Sequence, residues 1–80
     1  MLLTELPTGT HATVERVVAR SPEIDDATLR RLGELGFIAG EPVQLMHRGP
    51  GGCEPLAVLI GETMFGLRRL EAECIEVQPV

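Results

Sequence analysis

Five short apolar segments, the first of them rich in β-branched residues, Gly- and Pro-containing turns between them, and one apolar-striped helix after the first predict a mainly β fold. The expected architecture is a small five-stranded barrel with one short α-helix inserted after the first long strand. Eighty residues are expected to form one domain, spanning 1–80, near the lower size limit for unaided folding. A chain of this size buries only ~60–65% of its unfolded surface, which leaves a thin core and little room for a deep pocket. With 44% hydrophobic residues it nonetheless has enough apolar material to escape disorder.

Leu2, Leu3 and Leu6, ahead of Pro7-Thr8-Gly9, read as a lead-in that packs on the core before a turn. Residues 10–19 read as a strand. Ala12 and Val14 alternate, but Val17 and Val18 break the parity, so a bulge is expected near Glu15-Arg16. Ser21-Pro22-Glu23 ends that strand, and residues 25–35 form the helix. Asp25 or Asp26 can cap its N-terminus. Leu29, Leu32 and Leu35 make its apolar stripe, and Gly36 ends it in a left-handed conformation. Gly33 inside the helix costs about 1 kcal/mol relative to Ala, which close packing of that turn against a strand would justify. Ala39-Gly40-Glu41-Pro42 is a turn, followed by strands over 43–47 and 56–60 joined through Gly49-Pro50-Gly51-Gly52. Gly61-Glu62 turns into Thr63–Leu67, residues 68–73 suit a single helical turn, and 74–78 form the last strand. Small size, short strands and the one inserted helix indicate a barrel of the SH3-like type.

Alternation places Val43, Leu45, Leu56, Val58, Ile60, Phe65, Leu67, Ile75 and Val77 in the core. Met46, Ala57, Leu59 and Met64 have the opposite parity. They are expected to form an apolar outer face, the kind of surface that binds a partner protein or supports a weak homodimer. A covering loop or the N-terminal segment is the alternative explanation of the same residues.

Several function classes are disfavoured. The net charge of −5, with every positive charge an Arg and no Tyr or Trp present, argues against nucleic acid as a partner. Arg30-Arg31 and Arg68-Arg69 are the only concentrations of positive charge, read either as locally ion-paired surface or as an edge that meets an anionic partner group. The N-terminal residues lack the basic and apolar regions of a signal peptide, and the longest apolar run, 56–60, cannot span a bilayer. A cytoplasmic location with both cysteines reduced is expected. No nucleophile–base pair, phosphate loop or Cys-x-x-Cys spacing occurs, so the chain is not expected to be an enzyme or to require a cofactor. His47, Cys53 and Glu54 gather around the hairpin loop and could hold a divalent metal adventitiously or between molecules. Cys74 is expected to be a small packed strand residue.

Four motifs then point in one direction. Arg31-Leu32-Gly33-Glu34-Leu35-Gly36-Phe37, followed by Gly40, resembles the RL-x-x-LG-hydrophobic…G signature of the ferrous iron transport protein A (FeoA) family. Gly49-Pro50-Gly51-Gly52-Cys53-Glu54-Pro55 resembles that family's AP-x-GDP hairpin, and Leu67-Arg68-Arg69 with Ala72, Ile75 and Val77 resembles its C-terminal ending. Leu6-x-x-Gly9 fits the lead-in. The chain departs from the pattern at Ala39, where the family commonly has Pro, and at Gly49, where it has Ala. Cys53-Glu54 also lengthens the loop by one residue and puts Glu in place of Asp. The resemblance implies an SH3-like accessory protein of bacterial ferrous iron uptake that binds FeoB, the membrane transporter with a cytoplasmic GTP-binding domain. By position it singles out Leu35, Gly36 and Gly40 at the helix–turn corner, Pro50, Glu54 and Pro55 in the hairpin, and Arg68 at the last corner. The alternative is a freestanding form of the SH3-like domain at the C-terminus of iron-dependent repressors.

Overall fold

A computed structural model describes the backbone of residues 1–80 and every side chain except that of Cys53. After a 3-10 turn at Leu3–Glu5, the chain forms β1 (His11–Val17), α1 (Asp26–Leu35) and β2 (Pro42–Gly49). A second 3-10 turn (Pro50–Gly52) leads to β3 (Cys53–Ile60) and β4 (Thr63–Leu67), then α2 (Arg69–Ala72) and β5 (Ile75–Pro79). All pairings are antiparallel in one sheet of order β4-β3-β2-β1-β5. The five strands, the inserted helix and the single-turn α2 match the sequence expectation. The β2–β3 hairpin is longer than expected, because pairing continues through Arg48↔Leu56 to Gly49↔Cys53.

Bends let so short a sheet curl around a core. The register between β1 and β5 shifts between Val14 and Arg16, where parity requires a bulge. β2 carries two further shifts against β3, at Leu45/His47 and Arg48/Gly49. The first places both Met46 and His47 opposite Ala57. It also returns Arg48 to the inward parity, and its guanidinium donates to the Thr4 carbonyl at 2.8 Å.

Asp25 caps α1, accepting from the Thr28 N–H and the Thr28 hydroxyl, each at 2.8 Å. These bonds, the hydroxyl first, hold its carboxyl below the usual carboxylate range. At the other end Gly36 sits at φ 116°, and Phe37 N–H bonds back to the Leu32 carbonyl at 3.1 Å. Leu32 is the buried residue of this helix, flanked by half-buried Leu29 and Leu35. Gly33 does not pack closely, contrary to expectation: a Cβ placed there meets nothing within 4 Å. Gly33→Ala should therefore stabilise the fold by about 1 kcal/mol, since only helix propensity changes. Thermal and urea melts of the variant check this, and an unchanged or lower midpoint contradicts it.

The core contains the residues that alternation selected, with two adjustments. Phe65 is half-buried rather than enclosed, its ring centroid 6.4 Å from that of Phe37. Phe37, Leu3, Leu6 and Ala72, which lie outside the regular strands, are essentially inaccessible. Cys74 is also buried, but in the turn before β5 rather than in a strand, its Sγ 3.4 Å from the Leu70 carbonyl.

Glu76 on β5 receives Arg16 Nε at 2.6 Å and also pairs with Arg20. The Arg16 hydrogen bond, followed by the charges of Arg16 and Arg20, lowers its pKa below the ordinary 4.5. Below that value the unfolded chain takes up the proton first, so stability falls as pH drops through the folded pKa. Glu76→Gln should lose part of the wild type's acid sensitivity, read as a flatter melting midpoint between about pH 5 and pH 2.

Candidate functional site

The outer face of β2, β3 and β4 collects the apolar residues of opposite parity. Gln44, Leu59 and Met64 are direct cross-strand neighbours, and Ala57 lies between His47 and Gly66 in the adjacent row. Met64 is 51% exposed, whereas Met46, Ala57 and Leu59 are half-buried. The face is thus an apolar patch flush with the sheet, with Met64 standing proud at its margin. Beside Leu59 lies a shallow depression of about 180 Å³, also lined by His11, Pro42 and Gln44. Gln44 donates to the Gly9 carbonyl at 2.7 Å and so ties the lead-in to this rim. β2 alternation puts Gln44 beside Met46, but His11 joins the rim only through the His11↔Gln44 register, which the sequence does not disclose.

The hairpin residues form a second, polar part of the surface. Pro50, Glu54 and Pro55 are exposed. Glu54 Oε1 accepts from the Arg69 N–H at 2.6 Å, and Glu71 Oε1 accepts from the Arg68 N–H at 2.9 Å. Two carboxylates thereby satisfy backbone donors at the start of α2. No local sequence pattern announces the Glu54–Arg69 link, because its partners are joined only by folding. The loop and the last corner are consequently one surface.

The two arginine pairs divide. Arg31 meets Glu71 at 2.5 Å and Arg69 meets Glu73 at 2.7 Å. Among the described residues the guanidinium groups of Arg30 and Arg68 have no acidic partner. Arg68 is therefore available at the end of β4. At the helix–turn corner, Leu35 packs on the core, Gly36 closes α1 and Gly40, at φ 92°, donates to the Val14 carbonyl at 2.9 Å. These three shape the corner rather than present functional groups.

Of the expected metal trio, His47 is exposed on β2, Glu54 is bound to the α2 amide, and the Cys53 side chain lies outside the described residues. Among the described residues no three His, Cys, Asp or Glu side chains gather to hold an ion. No described helix is long and apolar enough to cross a membrane.

Comparison with known proteins places this geometry in context. The model of the FeoA domain matches residues 1–79. The crystal structure of Stenotrophomonas maltophilia FeoA is 47% identical, with 98% of this chain and 89% of that one aligned at a TM-score of 0.84. That protein is described as a procaryotic SH3 domain protein complexed with zinc and as a candidate ferrous iron transport activating factor. The solution structure of FeoA from Chlorobium tepidum is 35% identical, covering 100% of this chain and 70% of that one, with a TM-score of 0.83. IdeR of T. acidophilum shares the fold alone, at 20% identity over 100% of this chain and 34% of its own, with a TM-score of 0.77. No curated protein sequence matches the chain.

Proposed function

Because the chain belongs to the FeoA domain family, we propose that it is an accessory protein of ferrous iron uptake that works by binding the cytoplasmic part of the GTPase-coupled transporter FeoB. The observation that carries this reading is the outer sheet face. Met46, Leu59 and Met64 form an apolar strip bordered by Pro50, Glu54, Pro55 and the unpaired Arg68, the composition of a protein-binding surface with a polar rim. The protein contributes contact and charge rather than catalysis, and acts on the cytoplasmic side of the membrane. In this reading the contact needs no metal or other cofactor.

Calorimetric titration into folded, full-length FeoB, with and without guanine nucleotide, tests this. Leu59→Glu and Met46→Glu should each weaken binding about 30-fold, the loss of a ~2 kcal/mol contact, while retaining native melting behaviour. Failure of the wild type to bind at ~100 µM, or wild-type affinity in both variants, rejects the transporter as the partner of this face. Under the alternative reading, a freestanding repressor-like SH3 domain, a transcriptional repressor is the next partner to titrate; the fold is shared with a manganese-dependent transcriptional repressor.

A further inference from the structure

The sheet has two edges, and they are treated differently. On β5 the N-terminal residues cover the edge: Leu2 bridges Glu76, and Met1 and Val77 exchange two backbone hydrogen bonds of 2.7 and 3.0 Å. Among the described residues β4 pairs only with β3. Its outer side carries no Lys, Pro or bulge, the features that usually blunt an exposed edge. Its register with β3 is regular over all five residues.

The two-residue turn Gly61-Glu62 makes Ile60 and Thr63 the hydrogen-bonded closing pair of the β3–β4 hairpin. Alternation then directs the peptide groups of Phe65 and Leu67 at β3 and those of Met64 and Gly66 at the open edge. No described hydrogen bond uses these outward groups.

We infer that β4 pairs antiparallel with β4 of a second copy of this chain, with the two-fold axis through Phe65. This register puts Met64 opposite Gly66 of the partner subunit, and the converse, so that each pair exchanges two backbone hydrogen bonds. Every open peptide group of the edge is then used. The same register sets Glu62 against Arg68 of the partner subunit at both ends of the strand. Glu62 and Arg68 are exposed, and neither has an ion-pair partner within its own chain among the described residues. Centring the axis on Met64 or on Gly66 would lose this charge match. Met64, half exposed in the single chain, would lie over the side-chain-free Gly66 of the partner subunit and towards the partner's Ala57. The two apolar outer faces would become one surface. This pairing does not depend on the transporter reading, since it requires no other protein.

Sedimentation equilibrium of the purified chain tests it. An interface of one strand pair is small, so dimer should appear at concentrations on the order of 100 µM. Glu62→Arg and Arg68→Glu should each weaken association about tenfold or more, by setting like charges opposite one another. An equimolar mixture of the two variants should restore it, because every charge pair across the axis is again opposite. Met64→Pro removes only an outward N–H, so it should keep the native melt and lose the dimer. A wild type that stays monomeric to ~1 mM overturns the inference. So does association unaffected by the single reversals, or a mixture that fails to restore it. A strand from a different protein on this edge would give the first of these results.

Discussion

Leu32→Ala is expected to lower the unfolding free energy by about 2–5 kcal/mol, against a total of ~4–12 kcal/mol for a domain of this length. Leu32 is completely inaccessible and is the buried residue through which α1 holds the barrel. Truncating it removes apolar contact and leaves a cavity where the helix meets the core. At ~4–8 °C per kcal/mol the midpoint should fall by roughly 8–40 °C. The ion pair that also links α1 to α2, Arg31 to Glu71, is the useful contrast. The Arg31 side chain is 52% exposed, so Arg31→Ala should cost under about 1 kcal/mol despite its short contact. A larger loss from Arg31→Ala than from Leu32→Ala would mean that electrostatics rather than burial attach the helix.

Gly49→Ala should destabilise by about 1–3 kcal/mol, although Ala in a strand ordinarily improves on Gly by ~0.5–1 kcal/mol. The reason is a close approach of backbone. A Cβ on Gly49 would overlap the Glu54 carbonyl oxygen and stand 2.9 Å from Pro55 N, and none of these atoms can swing aside as a side-chain tip does. The substitution would press on the hairpin that presents Pro50, Glu54 and Pro55 and loosen the Glu54 carboxylate from Arg69. Gly66→Ala is the control, since its Cβ would meet only Pro55 Cβ at 3.7 Å, an ordinary contact, and its melt should be unchanged or slightly improved. The family pattern has Ala where this chain has Gly49. The crowding at this site accounts for the departure, and a neutral Gly49→Ala would remove that account.

The regular elements were legible because they obey simple periods. The Leu29–Leu32–Leu35 stripe, the Asp25 cap and the Gly36 stop are local signals, and the helix lies where they place it. The parity break at Val17 required a bulge, which the β1–β5 register shows beside Glu15. Alternation also separated Leu45 and Val58 from Met46 and Leu59 before any strand pairing was known. Leu3 and Leu6 were legible as an apolar lead-in that packs on the core, and both are buried. Phe37 carried no such mark: it lies just past the end of α1, where no period says which side is inside, and only the curl of the sheet over it makes it core.

The candidate site divides along the same line. Its apolar strip could be named in advance, because a strand of period two fixes the face of each side chain whatever its neighbours. Which strands lie side by side, that Glu54 reaches the Arg69 amide, that Gly49 faces the Glu54 carbonyl, and that Arg31 and Arg69 are paired while Arg30 and Arg68 are not all depend on contacts between distant residues. Short-range chemistry therefore determined the elements, their faces and the family. Long-range closure of the sheet decided which edge stays open and which charges remain free, because backbone pairing and ion pairing are satisfied between segments rather than within them.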